Sequence, residues 1–300
     1  MKFKLLNIML IAPFLAVAAS HASDPLPSVE ALKTTDAPLI FADTYVSVGE
    51  SAELNGNVLA STYLVAGAST DVTGHIQTGT AVTLGASSRV GGEINSATAI
   101  TLGASSIVNG RACFGTALTQ GAGALYNQKI SCPGPVPMDY DRDELINKKS
   151  ALSNIIVQGV SDSNTLESFI SQDKDLEPIE IVEYNSRLTA VYDATSLTTG
   201  ENVTITLTEG YDYVFNITNM ISLGAGTQIK FSGKNPDHNT VTWNIGGYTS
   251  LGTDTKMEGN VLSSGYVSTG VRSEVCGGLF SANSYVTVGA SARVGICDFN

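Results

Sequence analysis

Residues 80–110 read TAVTLGASSRVGGEINSATAITLGASSIVNG, and this stretch decides the fold. Its first thirteen residues return almost unchanged from Thr98, which lies eighteen positions after Thr80. The same unit starts without a gap at Thr44, Thr62, Thr80, Thr98 and Thr116, and related phrases start at Tyr248, Tyr266 and Tyr285. Self-similarity at a fixed period indicates a repeat architecture in which each unit is one structural repeat.

Within a unit the apolar residues alternate with polar ones, as Val82 and Leu84 do on either side of Thr83. A period of two is typical of a β-strand with one face inward. Eighteen residues accommodate three short strands and three corners, and glycines such as Gly85 and Gly103 suit the corners. Because one turn cannot bury its inner side alone, the units are expected to stack. The sequence therefore predicts a mainly β fold, a triangular β-solenoid with coils about 4.8 Å apart.

The ends and the middle of the chain have a different pattern. Residues 1–22 combine Lys2 and Lys4, an apolar stretch and a small-residue cleavage site, which is typical of a secretory signal peptide. The apolar stretch is shorter than a membrane span requires. We expect a secreted protein, extracellular or periplasmic, without membrane insertion.

The organisation expected beyond the signal is an N-terminal extension over 23–40, coils over 41–134, a helical insert over 135–175 and further coils over 176–300, with 41–300 as one folded unit. Within the insert, Leu145 and Leu152 approximate a helical period behind an acidic start. This pattern predicts a helix over 141–158 that resumes over 163–171. A helix with one apolar side needs a surface, so we expect it to pack along the solenoid.

The four cysteines predict two disulfides, because their even count fits an oxidising compartment. Cys113 and Cys132 are 19 residues apart, and Cys276 and Cys297 are 21 apart, so each pair is expected on neighbouring coils. Zinc sites need a tighter spacing of their ligands. We expect neither a metal nor a cofactor.

The composition argues against several functional classes. The net charge is −12, which disfavours nucleic acid as a partner. Outside the signal the histidines are His75 and His238, on unrelated segments, and no phosphate-binding loop or hydrolase motif is present. Only 15% of the residues are charged, and the repeats lack the clustered charges of solenoid polysaccharide enzymes. No enzyme, and no catalytic residue, is expected.

The candidate site lies in the repeated TAxT phrase. Equal positions of stacked coils form columns, so the phrase predicts an ordered, uncharged array of hydroxyls and methyls. The array consists of Thr80, Ala81, Thr83, Thr98, Ala99, Thr101, Thr116, Ala117 and Thr119. Threonine is stiff at χ1, and a coil repeat of about 4.8 Å lies near the oxygen spacing along an ice lattice. The array therefore predicts adsorption to ice.

Two other interpretations stay open at this point. Threonine is a favourable residue on the solvent side of any strand, and the first threonine of a unit could serve only its corner. The chain could also be a structural or adhesive solenoid that binds glycans or surfaces through tyrosines such as Tyr45 and Tyr63.

A family resemblance bears on this choice. The stretch from about Leu188 to Gly295 resembles the C-terminal half of the microbial ice-binding (antifreeze) protein family. The phrases that carry the resemblance are LTAVYDATSLTTGENVTITL, DYVFNITNMISLGAGTQI, VTWNIGGYTSLGTDTKMEGNVLSS and GGLFSANSYVTVGASARVG. It implies a right-handed, discontinuous β-solenoid with a long helix beside it.

The resemblance also implies the function, which is adsorption to ice crystals that limits their growth and recrystallisation. The expected partner is the ice surface, and a monomer is expected. Some members carry contact motifs of the form Thr-Ala/Gly-x-Thr/Asn, which the three TAxT units match. The chain departs from that pattern where tyrosines occupy the alanine column, at Tyr248, Tyr266 and Tyr285.

Overall fold

The structure is a computed structural model that describes residues 38–132, 142–155, 164–233 and 239–297. The predicted signal peptide over 1–22 and His238 lie outside these ranges. The described chain forms a β-solenoid of short strands, almost all paired in parallel, with one helix packed on it.

The first block of coils follows the eighteen-residue period, with three strands to a coil. Its strands are β1 Pro38–Ala42, β2 Val46–Val48, β3 Glu53–Leu54, β4 Asn57–Ala60, β5 Leu64–Ala66, β6 Asp71–Val72, β7 Ile76–Thr78, β8 Ala81–Leu84, β9 Arg89–Val90, β10 Ile94–Ser96, β11 Ala99–Leu102, β12 Ile107–Phe114, β13 Ala117–Gln120 and β14 Leu125–Ser131. Ala99 pairs with Ala81 on one side and with Ala117 on the other, so the repeat and the coil are the same unit.

The helix and the second block of coils follow. The helix is α1 Arg142–Ser153. The strands of the second block are β15 Asn164–Thr165, β16 Phe169–Ile170, β17 Lys174–Leu176, β18 Ile181–Tyr184, β19 Arg187–Thr199, β20 Thr204–Leu207, β21 Asp212–Leu223, β22 Gln228–Phe231, β23 Val241–Ile245, β24 Thr249–Leu251, β25 Lys256–Glu258, β26 Asn260–Ser263, β27 Val267–Ser268, β28 Glu274–Cys276, β29 Leu279–Ser281, β30 Val286–Val288 and β31 Arg293–Val294.

The order of the coils in space differs from their order in the chain. Strands β1, β2 and β3 pair on one side with β4, β5 and β6, and on the other side with β29, β30 and β31. Val46, for example, lies between Leu64 and Val286. The first coil of the described chain is therefore enclosed between the second coil and the last one, and the solenoid is discontinuous in sequence.

The three strands of each coil build three faces. The first face contains β23, β26, β29, β1, β4, β7 and β10. The second contains β24, β27, β30, β2, β5, β8, β11 and β13. The third contains β17, β20, β22, β25, β28, β31, β3, β6 and β9. The long strands β19 and β21 contribute to the first face and then to the second. Alternate residues point inward and fill one continuous core. Near its C-terminal coils Trp243 is fully buried, stacks on Phe215 with ring centroids 4.0 Å apart, and donates from Nε1 to the carbonyl of Glu258.

Helix α1 packs on the first face. Leu145 and Leu152 are fully buried there in a cluster with Phe41, Leu59 and Leu262. Lys149, on the same side of the helix, is buried as well. The helix packs along the side of the solenoid, as predicted, but it is shorter than the predicted range of 141–158. It has 12 residues. Near its end the backbone carbonyls accept hydrogen bonds from side chains, from Ser153 Oγ to Lys149 O and from Asn154 Nδ2 to Ser150 O.

The prediction that the helix resumes over 163–171 is wrong. Residues 164–165 and 169–170 are strands that pair with β19, and Leu166 and Ile170 are buried in the core of the solenoid. The limits predicted for the helical insert and for the N-terminal extension also differ from the structure. Coils resume before residue 176, and residues 38–40, assigned to the N-terminal extension over 23–40, already belong to β1. Leu39 and Ile40 are buried there.

Both predicted disulfides are present. Cys113 is bonded to Cys132, with Cα atoms 5.6 Å apart, and Cys276 is bonded to Cys297, with Cα atoms 4.6 Å apart. The first pair links β12 to the residue that follows β14, the strand paired with it. Each bond therefore ties a coil to the chain that follows it, near the place where a block of coils ends.

Candidate functional site

A column of hydroxyl side chains runs along the second face. It connects paired positions of successive strands, and its members are at least partly exposed. The strand neighbours of these residues are buried, except beside Thr119, where Leu118 is half-buried and Gln120 is exposed. In spatial order it consists of Thr198, Ser222, Ser250, Ser268, Thr287, Ser47, Val65, Thr83, Thr101 and Thr119. We call this set the hydroxyl column. Only Val65 in it lacks a hydroxyl, so the pattern of Thr83 and Thr101 extends through both blocks.

The hydroxyl groups of this column are not used by the protein itself. Among the described residues, no hydrogen bond involves the side chain of Thr83, Thr101 or Thr119. The corner threonines behave differently, since Thr80 Oγ1 donates to Thr62 O at 2.9 Å and Thr98 Oγ1 donates to Thr80 O at 2.6 Å. The hydroxyls of Thr80 and Thr98 therefore link successive coils, whereas those of the hydroxyl column are available to a ligand or to water.

A second column lies two residues earlier in each strand. Over the three TAxT coils it contains Ala81, Ala99 and Ala117, which pair in register. Beyond them it continues as a stack of five aromatic rings, which we call the tyrosine ladder: Tyr248, Tyr266, Tyr285, Tyr45 and Tyr63. The ring centroids are 4.8 to 5.4 Å apart and the rings are within 12° of parallel. The ladder crosses the junction between the first and the last coil.

Charge separates the second face from the third. The two outward columns of the second face contain only uncharged residues over the described coils, namely Ala, Ser, Thr, Tyr, Val and Met220. On the third face the outward column is charged, with Lys256 Nζ 3.5 Å from a Glu274 oxygen and Arg293 Nε 3.3 Å from a Glu53 oxygen. The first face is partly covered by α1. The second face is thus both uncovered by the helix and uncharged.

A groove of about 680 Å³ lies beside α1, and it is a weaker candidate for a functional site than the second face. Lys149 and Asp193 line it, but Lys149 Nζ already donates to Asn244 Oδ1, Ile245 O and Leu262 O at 2.7 to 2.9 Å. Burial lowers the pKa of Lys149 to about 7. In the part of the chain that the structure describes, no cluster of three His, Cys, Asp or Glu side chains could hold a metal ion. Nor does any helix within the described ranges combine the length and apolar character needed to cross a membrane.

Comparison with known proteins identifies a family for the C-terminal part of the chain. The model of the ice-binding-like family matches residues 147–293, from within α1 to β31. Residues 147–293 belong to the ice-binding-like family. The match contains most of the tyrosine ladder, and the three TAxT coils lie before it. A search of curated proteins found no match.

Several solved structures are similar to the chain. The ice-binding protein of the Antarctic ascomycete Antarctomyces psychrotrophicus is 13% identical over 87% of this chain and 94% of that one, with a TM-score of 0.45. The ice-binding protein domain of Shewanella frigidimarina is 18% identical over 89% of this chain and 95% of that one, with a TM-score of 0.48. A glycosylated ice-binding protein from an Arctic yeast is 14% identical over 90% of this chain and 94% of that one, with a TM-score of 0.47.

The structure brings the predicted site residues together on one side of the solenoid. Ala81, Ala99 and Ala117 form one outward column, and the threonines two positions later form the next. Thr80, Thr98 and Thr116 line the adjoining corner. Sequence reasoning found both groups of tyrosines but did not join them, although the near-identity of YVSVG at Tyr45 and YVTVG at Tyr285 contained the signal.

Proposed function

We propose that the chain adsorbs to ice through the second face and so limits ice growth and recrystallisation. The observation that carries the proposal is the register of Thr83, Thr101 and Thr119 beside the alanine column, with hydroxyls that the protein leaves unused. Membership of residues 147–293 in the ice-binding-like family supports it.

The mechanism needs order rather than reactivity. Threonine has few χ1 states, and hydrogen-bonded coils fix the backbone that carries it, so the array is in place before it meets water. The methyls of Ala81, Ala99 and the threonines favour ordered water around them, and the free hydroxyls bind that water to the protein. With no charge in the two columns, no strongly hydrated ion has to be stripped of its water. The bound layer can then merge with a crystal.

The proposal includes secretion of the protein as a monomer. Two disulfides join neighbouring coils, and such bonds persist in oxidising compartments outside the cytosol. Analysis of the culture medium and size-exclusion chromatography test this part. We propose no catalytic activity, because Lys149 in the groove is held by three protein acceptors.

Thr101→Tyr tests the face. The ring would rise above the centre of the TAxT coils and hold ice away from its neighbours, so we expect most of the freezing hysteresis and crystal shaping to be lost. As a surface change, it should alter the free energy of unfolding by no more than about 0.5 kcal/mol.

Thr206→Tyr is the matched control, because Thr206 lies half-buried in mid-strand on the third face. It should keep the wild-type hysteresis. Equal hysteresis in both variants, with both folded, would exclude the second face as the contact. Retention of the wild type by a glycan matrix, with no effect on ice, would favour the adhesive alternative.

A further inference from the structure

The tyrosine ladder is a rigid continuation of the alanine column. Tyr266, Tyr285 and Tyr45 each have another ring on both sides, and the angle between the planes of Tyr45 and Tyr63 is only 3°. The ladder spans four coil steps, roughly 20 Å at the spacing of hydrogen-bonded strands. Its repeat is that of the coils, so its phenol groups follow the same period as Thr83 and Thr101.

The phenol hydroxyls of the tyrosine ladder are available to a ligand. Within the described ranges, none of the five is engaged in a hydrogen bond with the protein. Burial raises the pKa of Tyr45 above its usual value of 10, and the neighbouring Tyr285 and Tyr63 add to the rise. The pKa of Tyr266 is raised in the same way. The ladder therefore presents a row of hydroxyl groups that can both donate and accept hydrogen bonds.

The stacking also limits what can bind there. A sugar ring packs on the open face of an aromatic side chain, but the inner rings of the ladder cover one another's faces at 4.8 to 5.4 Å. What remains accessible along the ladder is ring edges and hydroxyls. Beside them run Ser250, Ser268, Thr287 and Ser47, whose hydroxyls form a second row. Two parallel hydroxyl rows at the coil period suit ordered water better than a glycan.

From this geometry we propose that the phenol hydroxyls of the tyrosine ladder contact ice, so that the ice-binding surface continues from the TAxT coils across the junction into the C-terminal coils. This inference rests on the proposed function and extends the same face. It assigns the tyrosines a role that ring stacking alone would not give them.

The test is the triple variant Tyr45→Phe, Tyr266→Phe, Tyr285→Phe, which removes three hydroxyls and keeps the stacked rings. We expect about tenfold more protein to be needed for the wild-type hysteresis, the ratio that about 1.4 kcal/mol of lost adsorption energy gives. The melting temperature reports whether the ladder is intact, and it should stay at the wild-type value. Wild-type hysteresis in the triple variant would overturn the inference.

A second variant tests the extent of the surface. Ser268→Tyr places a bulky ring beside the ladder, far from the TAxT coils, and should reduce hysteresis as Thr101→Tyr does. If Thr101→Tyr loses activity while Ser268→Tyr and the triple variant keep it, the proposed function stands and the ladder has no part in it. If the wild type itself leaves ice growth unaffected, both proposals fall.

Discussion

The close approach of successive coils at their glycine corners gives the sharpest stability prediction, for Gly103→Ala. A Cβ atom at Gly103 would lie 2.4 Å from the carbonyl carbon of Gly85 and 2.5 Å from the nitrogen of Ala86. Both are backbone atoms and cannot rotate away. To reach an ordinary contact of 3.4 Å, the two coils must separate by about 1 Å at this corner.

That separation has an energy that can be worked out from the hydrogen bonds beside it. Gly103 N donates to Leu84 O at 2.8 Å, and an opening of about 1 Å takes this contact outside the hydrogen-bond range. One or two lost bonds, at about 1 kcal/mol each, add to an overpacking cost of about 1–3 kcal/mol. We therefore expect the free energy of unfolding to fall by about 2–5 kcal/mol, which lowers the melting temperature by roughly 10 °C.

The assay is thermal unfolding followed by far-UV circular dichroism, with Gly123→Ala as the control. At Gly123 the nearest atom to an added Cβ is Ser105 Oγ at 3.6 Å, so only the left-handed backbone, with φ of +72°, opposes alanine. That strain costs about 1–2 kcal/mol. If the melting temperature falls no further for Gly103→Ala than for Gly123→Ala, the reasoning is refuted. The folded fraction of Gly103→Ala should also show reduced hysteresis, because Thr101 moves away from Thr83.

Two further predictions concern Lys149 and the C-terminal disulfide. The folded pKa of Lys149, about 7, lies below the ordinary value of 10.5, so between these pH values the unfolded chain binds more protons and the free energy of unfolding rises with pH. The variant Lys149→Met lacks this contribution. In urea titrations the free energy of unfolding of the wild type should therefore rise, relative to that of the variant, by up to about 1.4 kcal/mol per pH unit. Parallel plots of unfolding free energy against pH for the two proteins would contradict this. Replacing Cys276 and Cys297 by serine opens a loop of 21 residues and should cost about 3 kcal/mol in thermal unfolding, with hysteresis retained because the bond lies away from the second face. If the serine variant is folded but has lost its freezing hysteresis, the disulfide does not lie away from the ice-binding face as we infer.

The repeat made the columns predictable from sequence. An eighteen-residue period places Ala81, Ala99 and Ala117 one above another once each unit is a coil, and the observed register confirms this. The disulfide partners followed from the same period. These features are local, since each coil contacts the one that comes next in the chain.

The junction could not be predicted in this way. Coils offer similar edges, so the eighteen-residue period does not state which coil stacks on the first, and Tyr45 meets Tyr285 across 240 positions of sequence. The short helix is a similar case. The four-residue spacing of Leu166 and Ile170 suggests a helix, but the segment instead forms the short strands β15 and β16, which pair with β19. The use of Thr98 Oγ1 at a corner rather than at the surface also depends on the neighbouring coil.

The enclosure of the first coil between its successor and the last coil has a consequence for biosynthesis. As the chain emerges, β1, β2 and β3 present unpaired strand edges on one side until residues 279–294 have been made and can close over them. Exposed parallel edges are templates for pairing between molecules. A product truncated before β29 would therefore keep most of its coils and still aggregate, because its vulnerable edge lies in the middle of the finished molecule.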